Sequence, residues 1–191
     1  CSNIIGSINN LKEICHIAHN QNIIVVGDGV SYAPHGFPDV KEIGVDFYTF
    51  SLYKTYGPHL ALLYGKEEIL KNLPNQNHQF LEGEYPYTIN PGGPNHEELV
   101  SLIGIYEYMM KLYKHHYNNE DITIREKIKK VNILISEHEE EIANPLLKYI
   151  SSRKDLTLIG KTKIKNKNRA PTISIISKNK TSKQMSSILT A

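Results

Sequence analysis

Lys54 and Asp28 are of residue types that could together perform cofactor chemistry. Lys54 lies in the polar turn 51–59, directly after the apolar run 47–50, and Asp28 ends the apolar run 23–28. A lysine amine can form a Schiff base with an aldehyde, and a carboxylate can keep a pyridine nitrogen protonated so that the ring accepts electrons. The pair therefore indicates pyridoxal phosphate (PLP) as a cofactor.

The residues around Lys54 strengthen this interpretation. Ser51 and Tyr53 supply hydroxyl groups close to it in sequence, and a glycine–proline pair at 57–58 forces the chain to turn. Hydroxyl groups and backbone amides in such a turn can converge on a phosphate. If Asp28 ends a parallel strand, both reactive groups lie at the carboxyl edge of the sheet, where such sheets bind ligands.

The elements that must position these residues follow an α/β plan. The run 23–26 is continuous and β-branched, which predicts a strand buried on both faces of a parallel sheet. Periodicity predicts the other elements in this order: helix 10–20, strands 47–50 and 60–65, helices 67–73, 96–113 and 122–150, strands 156–159 and 172–176, and a helix from Ser182. We therefore predict a mostly parallel sheet flanked by helices, followed by a second domain after Ser151.

Bulk composition argues against several partner classes. A net charge of +2 and 22% charged residues are too balanced to indicate nucleic-acid binding. Apolar runs fall short of a membrane span, and the N-terminus lacks a signal peptide. Two cysteines indicate neither a disulfide framework nor a zinc site, and the histidine pairs lack carboxylate or cysteine partners at ligand spacing. We expect a cytoplasmic protein without nucleic-acid, membrane or metal partners.

Four segments together resemble the cysteine desulfurase-like group of class V aminotransferases, which are fold-type I PLP enzymes. They occur in the family's order and at similar separations, and they span residues 2–6, 26–35, 46–59 and 90–97. Residues 169–174 resemble the family's entry into its small domain. The resemblance implies a fold-type I α/β architecture.

The resemblance also implies domain roles along the chain. Residues 1–115 would be the C-terminal part of the PLP-binding large domain, 116–150 a connecting helix, and 151–191 the beginning of the small domain. The chain lacks an initial methionine and ends within a predicted helix, so we expect it to be a segment of a larger protein. The family's persulfide-forming cysteine and substrate-carboxylate arginine would lie outside this segment. Cys1 and Cys15 are poor nucleophile candidates, and Cys15 lies on an apolar helix face.

Four residues receive cofactor roles from the resemblance. Lys54 would carry the Schiff base and transfer the substrate's α-proton, and Asp28 would pair with the pyridinium nitrogen. Ser51 would bind the phosphate, and Tyr53 stands where cysteine desulfurases often have a histidine with the same role.

Three further matches depart from the common pattern or are less specific. Ser31 falls where many relatives have a glutamine near the ring hydroxyl, and Asn3 matches an asparagine near the substrate carboxylate or the ring. Gly93 stands where relatives often have a threonine that reaches the partner subunit's phosphate. These matches favour an outlying subgroup over an orthodox desulfurase. His35 and His59 could line the substrate pocket.

The sequence thus predicts a PLP-dependent enzyme that acts on an amino acid. The resemblance favours cysteine desulfurase-like chemistry in a homodimer with its active site at the subunit interface. The long loop 74–96 would form the subunit crossing. Two alternatives stay open: an aminotransferase or β-lyase on the same scaffold, and an inactive fragment that acts only in dimerisation.

Overall fold

The structure is a computed structural model, and it describes residues 1–85, 87–90 and 92–190. Pro86 and Pro91, which fall in the predicted loop 74–96, lie outside the described residues. The chain divides into two compact units, one of residues Asn10–Ile128 and one of Cys1–Asn9 with Lys129–Ala191. The domain boundaries that the resemblance implies stay a prediction.

A three-stranded sheet forms the centre of the unit Asn10–Ile128. Its strands are β1 (Val26–Asp28), β2 (Phe47–Ser51) and β3 (Ala61–Gly65), and β2 lies in the middle. β1 and β2 run parallel, whereas β3 runs antiparallel to β2. The carboxyl ends of β1 and β2 therefore lie at the same edge of the sheet.

Helices and short 3₁₀ turns connect and flank these strands. The helices are α1 (Leu11–His19), α2 (Val40–Ile43), α3 (Glu67–Leu70), α4 (His96–Ser101) and α5 (Ile103–His116), while α6 (Ile124–Ser152) begins in this unit. The 3₁₀ turns are Ala33–His35, Leu52–Thr55, Gln79–Leu81 and Tyr87–Ile89. Asn10 caps α1 by accepting a hydrogen bond from the Glu13 backbone N–H at 3.4 Å. The helix predicted at 96–113 is divided into α4 and α5 at Leu102.

The core of this unit is built from small, aliphatic and aromatic side chains. Its buried members are Cys15, Val25, Ala33, Val45, Tyr48, Phe50, Leu52 and Ile105. Cys15 is 2% exposed, which confirms its prediction as a core residue, and burial raises the pKa of its thiol. A buried, protonated thiol is a poor nucleophile.

The strand predicted at 23–26 is placed differently by the structure. β1 begins only at Val26, and the side chains of Ile23, Ile24 and Val26 are more than half exposed, at 57%, 56% and 63%. In the part of the chain that the structure describes, β1 is an edge strand with β2 on one side only. The prediction that this run is buried on both faces is therefore wrong for this structure.

The other unit contains a hairpin of β4 (Leu156–Ile159) and β5 (Ser174–Ser177), followed by α7 (Ser182–Leu189). A capping box of Thr181 and Gln184 begins α7. Ala143, Leu147 and Ile164 form a buried cluster that packs α6 against the loop after β4.

Arg169 joins distant parts of this unit through its guanidinium group. Its side chain is buried, and it donates hydrogen bonds only to backbone carbonyls, those of Ile5, Lys161, Ala170 and Thr172. The Ala170 N–H also donates to the Gly6 carbonyl at 2.7 Å. Gly6 has a φ of +69°, and a Cβ there would lie 2.6 Å from the Ala170 oxygen, so this contact requires glycine.

A buried carboxylate, Asp46, connects three elements of the unit Asn10–Ile128. It is 4% exposed and accepts hydrogen bonds from the Val25 N–H at 2.7 Å, from His19 Nε2 at 2.8 Å and from Lys66 Nζ at 2.7 Å. Burial alone would raise the pKa of Asp46, but the hydrogen bonds from Lys66, Val25 and His19 outweigh it and lower the pKa to about 2. The folded state therefore favours the ionised form of Asp46.

Among the described residues, no helix has the length and apolar character needed to cross a lipid bilayer. The same residues contain no group of three or more histidine, cysteine or acidic side chains that could hold a metal ion. The cytoplasmic location stays a prediction.

We expect Asp46→Asn to lower the free energy of unfolding by about 3 kcal/mol at pH 7, because it leaves buried donors facing an uncharged amide. The pKa of Asp46 is lower in the folded than in the unfolded state, where it is near 3.8. Its stabilising contribution should therefore be complete above pH 4 and disappear as the pH falls toward 2. Denaturant titration of the full-length protein across this range measures both effects.

The matched control is Glu67→Gln, which removes an exposed ion pair between Glu67 and Lys71 (2.6 Å). Exposed pairs contribute roughly 0–1 kcal/mol, so this variant should stay close to the wild type. Equal losses in the two variants would contradict a special role for Asp46.

Candidate active site

The shared edge of β1 and β2 brings three polar residues to one face of the sheet. Asp28 at the end of β1 stands in register with Thr49 on β2, and Ser51 follows two residues later. Burial alternates along both strands, so that Gly27, Tyr48 and Phe50 lie on the buried face. Asp28, Thr49 and Ser51 therefore occupy the opposite face.

Asp28 presents its carboxylate at this edge. Its side chain is exposed, and its Oδ1 accepts a hydrogen bond from the Val30 N–H at 2.9 Å. Within residues 1–85, 87–90 and 92–190, no cation pairs with this carboxylate. The Gly29 N–H donates to the Thr49 carbonyl at 2.8 Å, which extends the strand pairing past Asp28.

The turn that carries Lys54 is fixed by the backbone carbonyl of Leu52. That oxygen accepts hydrogen bonds from the Thr55 hydroxyl at 2.9 Å, from the Gly57 N–H at 3.0 Å and from the Tyr56 N–H. Tyr56 ends the turn with a left-handed φ of 67°, which is uncommon for a residue other than glycine. The chain is thus folded back sharply just after Lys54.

Helix α5 supports this turn from one side. A Cβ at Gly57 would lie 2.6 Å from Ile105 Cδ1, so the backbone at Gly57 packs directly on the helix. The rings of Tyr56 and Tyr108 contact each other with centroids 4.7 Å apart. These contacts give Lys54 a rigid base although it lies outside the sheet.

Lys54 is a half-buried residue, and no hydrogen-bond or ion-pair partner for its amine occurs in the described part of the chain. It shares the sheet edge with the carboxylate of Asp28, whose hydrogen bond is to backbone. A primary amine and a carboxylate that both keep bonding capacity, at one edge, fit a cofactor with an aldehyde and a pyridinium nitrogen. The residues present therefore fit PLP.

Two predicted aromatic side chains flank Lys54. Tyr53 and His59 are exposed, and their rings stack with centroids 5.2 Å apart and an interplanar angle of 19°. The turn Ala33–His35 packs against the turn Leu52–Thr55, which brings His35 to the neighbourhood of Lys54. Ser31 is half-buried on the segment that leads from Asp28 to this turn.

The remaining two predicted residues are not part of this cluster as described. Gly93 is exposed in the segment before α4, and no atom lies within 4 Å of the position of a Cβ there. Asn3 belongs to the other unit, where it is exposed in the turn that Ser2 stabilises by accepting hydrogen bonds from the N–H groups of Ile4 and Ile5. Their roles stay predictions.

The motifs in the sequence did not point to Thr49 or Tyr48. Thr49 could have been found from the alternation of side chains along the strand, because a residue two positions before Ser51 must lie on the same face of the sheet. Tyr48 could not be assigned to the site from sequence, since its contact with the backbone beside Asp28 depends on the strand register.

Residues 1–132 match the model of a protein family described as aminotransferase class-V. The chain belongs to the class V aminotransferase family. The predicted resemblance is thereby confirmed, and similar proteins support the cysteine desulfurase-like group within the family.

Two curated relatives illustrate this similarity. The chain is 36% identical over 175 residues to the aminotransferase-like protein FGM3 of Gibberella zeae, a match that covers 91% of the chain and 40% of that protein. It is 30% identical to a probable cysteine desulfurase of Halalkalibacterium halodurans, covering 85% of the chain and 38% of that protein. The chain thus spans about two fifths of the length of these relatives.

Solved structures show the fold. The cysteine desulfurase CsdA of Escherichia coli superposes with a TM-score of 0.69 at 21% identity, over 99% of the chain and 44% of that protein. The apo cysteine desulfurase of Thermococcus onnurineus NA1 gives a TM-score of 0.68 at 22% identity, over 99% of the chain and 45% of that protein. The fold is that of fold-type I PLP enzymes, as predicted.

We expect Thr55→Val to lower the free energy of unfolding of the full-length protein by about 1 kcal/mol, because it removes a buried hydrogen bond to Leu52 without changing side-chain volume. Thr190→Val is the matched control, since Thr190 makes the same type of bond, to Ser186 at 2.9 Å, on an exposed helix end. Denaturant titration should show little change for Thr190→Val. A loss at position 190 as large as at 55 would contradict a fixed turn.

Proposed function

We propose that Lys54 and Asp28 form the centre of a PLP-dependent active site that acts on an amino acid. The observation that carries the proposal is that parallel pairing of β1 and β2 puts both groups at one edge of the sheet. Membership of the class V aminotransferase family supports the same cofactor. In this proposal Lys54 holds the cofactor aldehyde as a Schiff base and Asp28 pairs with the ring nitrogen.

Bound PLP supplies an electron sink for the pair of electrons left when a bond at the substrate's Cα breaks. Asp28 keeps the proton on the ring nitrogen, and its exposed position at the strand end leaves the carboxylate accessible to that nitrogen. Lys54 would take and return the proton at the substrate's Cα, as base and acid. The hydrogen-bonded turn around Leu52 fixes the backbone from which the Lys54 side chain extends.

Ser51 and Tyr53 are the proposed phosphate ligands. Ser51 ends β2 on the same face as Asp28, and Tyr53 precedes Lys54 in the 3₁₀ turn. The His59 ring stacked on Tyr53 restricts the directions in which the phenol can turn. Ser31 and the pocket position of His35 complete the proposed set, and the roles of Asn3 and Gly93 stay predictions.

The reaction that we favour is cysteine desulfurase-like, because curated desulfurases and desulfurase structures are among the similar proteins. An aminotransferase reaction is the second candidate, and the higher identity to an aminotransferase-like protein favours it. The products separate the two. Full-length protein given L-cysteine together with a 2-oxo acid as amino acceptor would release alanine and sulfur as a desulfurase, whereas an aminotransferase would convert the acceptor into its amino acid and L-cysteine into the corresponding 2-oxo acid.

We expect borohydride reduction of the full-length protein with PLP to attach a pyridoxyl group to the peptide that contains Lys54. Lys54→Arg should abolish both this label and turnover, because the guanidinium does not form the Schiff base. Lys41→Arg, at an exposed position of α2, is the control that should keep both. Mass mapping of the digest is the measurement. A folded protein with no adduct, or one on another lysine, would contradict the proposal.

We also propose a homodimer as the functional state. Large apolar side chains between residues 80 and 103 are unusually exposed, namely Phe80 at 79%, Val100 at 73% and Ile103 at 64%. Such patches commonly mark protein interfaces. Light scattering of the full-length protein with bound PLP should give the mass of a dimer, and a monomer that holds the cofactor would contradict this.

A further inference from the structure

Tyr48 is a buried tyrosine that packs against the backbone on both sides of Asp28. It is 3% exposed and stands in register with Gly27. A Cβ at Gly27 would lie 2.8 Å from Tyr48 Cδ2, and a Cβ at Gly29 would lie 2.2 Å from the Tyr48 hydroxyl oxygen and 2.3 Å from Cζ. The ring therefore occupies the space that side chains at 27 and 29 would take.

The need for glycine at position 29 is steric. Its φ does not lie in the left-handed region, so any residue could adopt its backbone conformation if there were room. The obstacle is a rigid, buried ring whose far end cannot swing aside as an exposed side chain would. Gly29 and Tyr48 are thus complementary in shape.

The Tyr48 hydroxyl also interacts electrostatically with Asp28. Burial first, and then electrostatic interactions with Tyr32 and Asp28, raise the pKa of Tyr48 to about 12. The phenol therefore stays neutral at physiological pH and adds no charge beneath the carboxylate. Because Tyr48 lies on the buried face, it supports the strand end from the side opposite to the Asp28 side chain.

The direction of Asp28 depends on this backbone. Its carboxylate bonds to the Val30 N–H, and the strand end is paired through the Gly29 N–H to Thr49. Both contacts are made by residues on or next to the segment that Tyr48 supports. A shift of that segment would therefore move both the Asp28 carboxylate and the Val30 N–H group that donates a hydrogen bond to it.

We propose that Tyr48 is a positioning residue for Asp28, with its ring wedged against Gly27 and Gly29 so that the carboxylate meets the pyridine nitrogen of the bound cofactor. This inference rests on the proposed function, in which Asp28 pairs with that nitrogen. Tyr48 itself touches neither cofactor nor substrate in this scheme. Its effect is transmitted through two glycines.

The test uses full-length protein reconstituted with PLP. It compares the single variants Gly29→Ala, Tyr48→Phe, Tyr48→Leu and Asp28→Asn with two double variants, in which Gly29→Ala is combined with Tyr48→Leu or with Tyr48→Phe. Gly29→Ala should weaken PLP binding by roughly tenfold or more, as loss of a supporting contact does around metal sites. It should also change the pH dependence of the bound cofactor's absorbance in the same direction as Asp28→Asn. Gly104→Ala is the control, because no atom lies within 4 Å of a Cβ there.

The double variant provides the sharpest comparison. Tyr48→Leu frees the space that the alanine needs, so Gly29→Ala/Tyr48→Leu should bind PLP better than Gly29→Ala alone. Tyr48→Phe keeps the ring, including the carbon 2.3 Å from the added Cβ, and should give no such rescue when combined with Gly29→Ala. Tyr48→Phe alone should stay closer to the wild type than Tyr48→Leu.

Three outcomes would overturn the inference. The first is a Gly29→Ala protein whose PLP affinity and absorbance profile match those of Gly104→Ala. The second is a lower melting temperature with an unchanged absorbance profile, which indicates packing alone. The third is additive effects of Gly29→Ala and Tyr48→Leu on thermal unfolding, since residues in contact should couple.

Failure of the proposed function would look different. Wild-type protein would then leave Lys54 unlabelled by borohydride and PLP, whatever the residue at position 29. The role of Tyr48 toward a cofactor would be lost with it, whereas coupling between positions 29 and 48 in thermal unfolding would still appear.

Discussion

The buried carboxylate of Asp46 determines where the central sheet begins, and the candidate site depends on that starting point. Its side chain binds the Val25 N–H, while its own N–H and that of Phe47 donate to the Val25 carbonyl at 3.1 and 3.2 Å. The Asp46 carbonyl accepts a hydrogen bond from the Lys66 N–H at 2.9 Å, which fixes the end of β3 next to the start of β2. With these ends fixed, Asp28 must stand opposite Thr49, because a register slip of one residue would move it to the other face.

The proposed reactive groups, Lys54 and Asp28, are held by steric and backbone constraints, since no side-chain partner of Lys54 is found among the described residues. Lys54 is placed by a turn whose hydrogen bonds converge on Leu52 and whose glycine packs on α5. Asp28 is placed by a strand end that packs on a tyrosine ring. Both groups therefore keep their bonding capacity for a ligand, which is what preorganisation of a site requires.

The shared sheet edge of Lys54 and Asp28 could be predicted from the sequence, because Asp28 ends one predicted strand and Lys54 follows the next. The chemistry assigned to the two residues stays a proposal. The roles of Asp46 and Tyr48 could not be predicted, because they depend on strand register and on partners 19 or more residues away. The run at 23–26 was misjudged because its β-branched composition predicts a strand but not what covers it.

Arg169 has a consequence for the order in which the chain acquires its structure. Its bond to the Ile5 carbonyl spans 164 residues, and Ser174 reaches the Ile4 carbonyl across 170. A ribosome adds residues from the N-terminus, so the turn at residues 2–6 has no partners for these carbonyls until residues 169–174 have been made. The turn that contains Asn3 is therefore synthesised well before the residues that hold it, and it becomes ordered only after them.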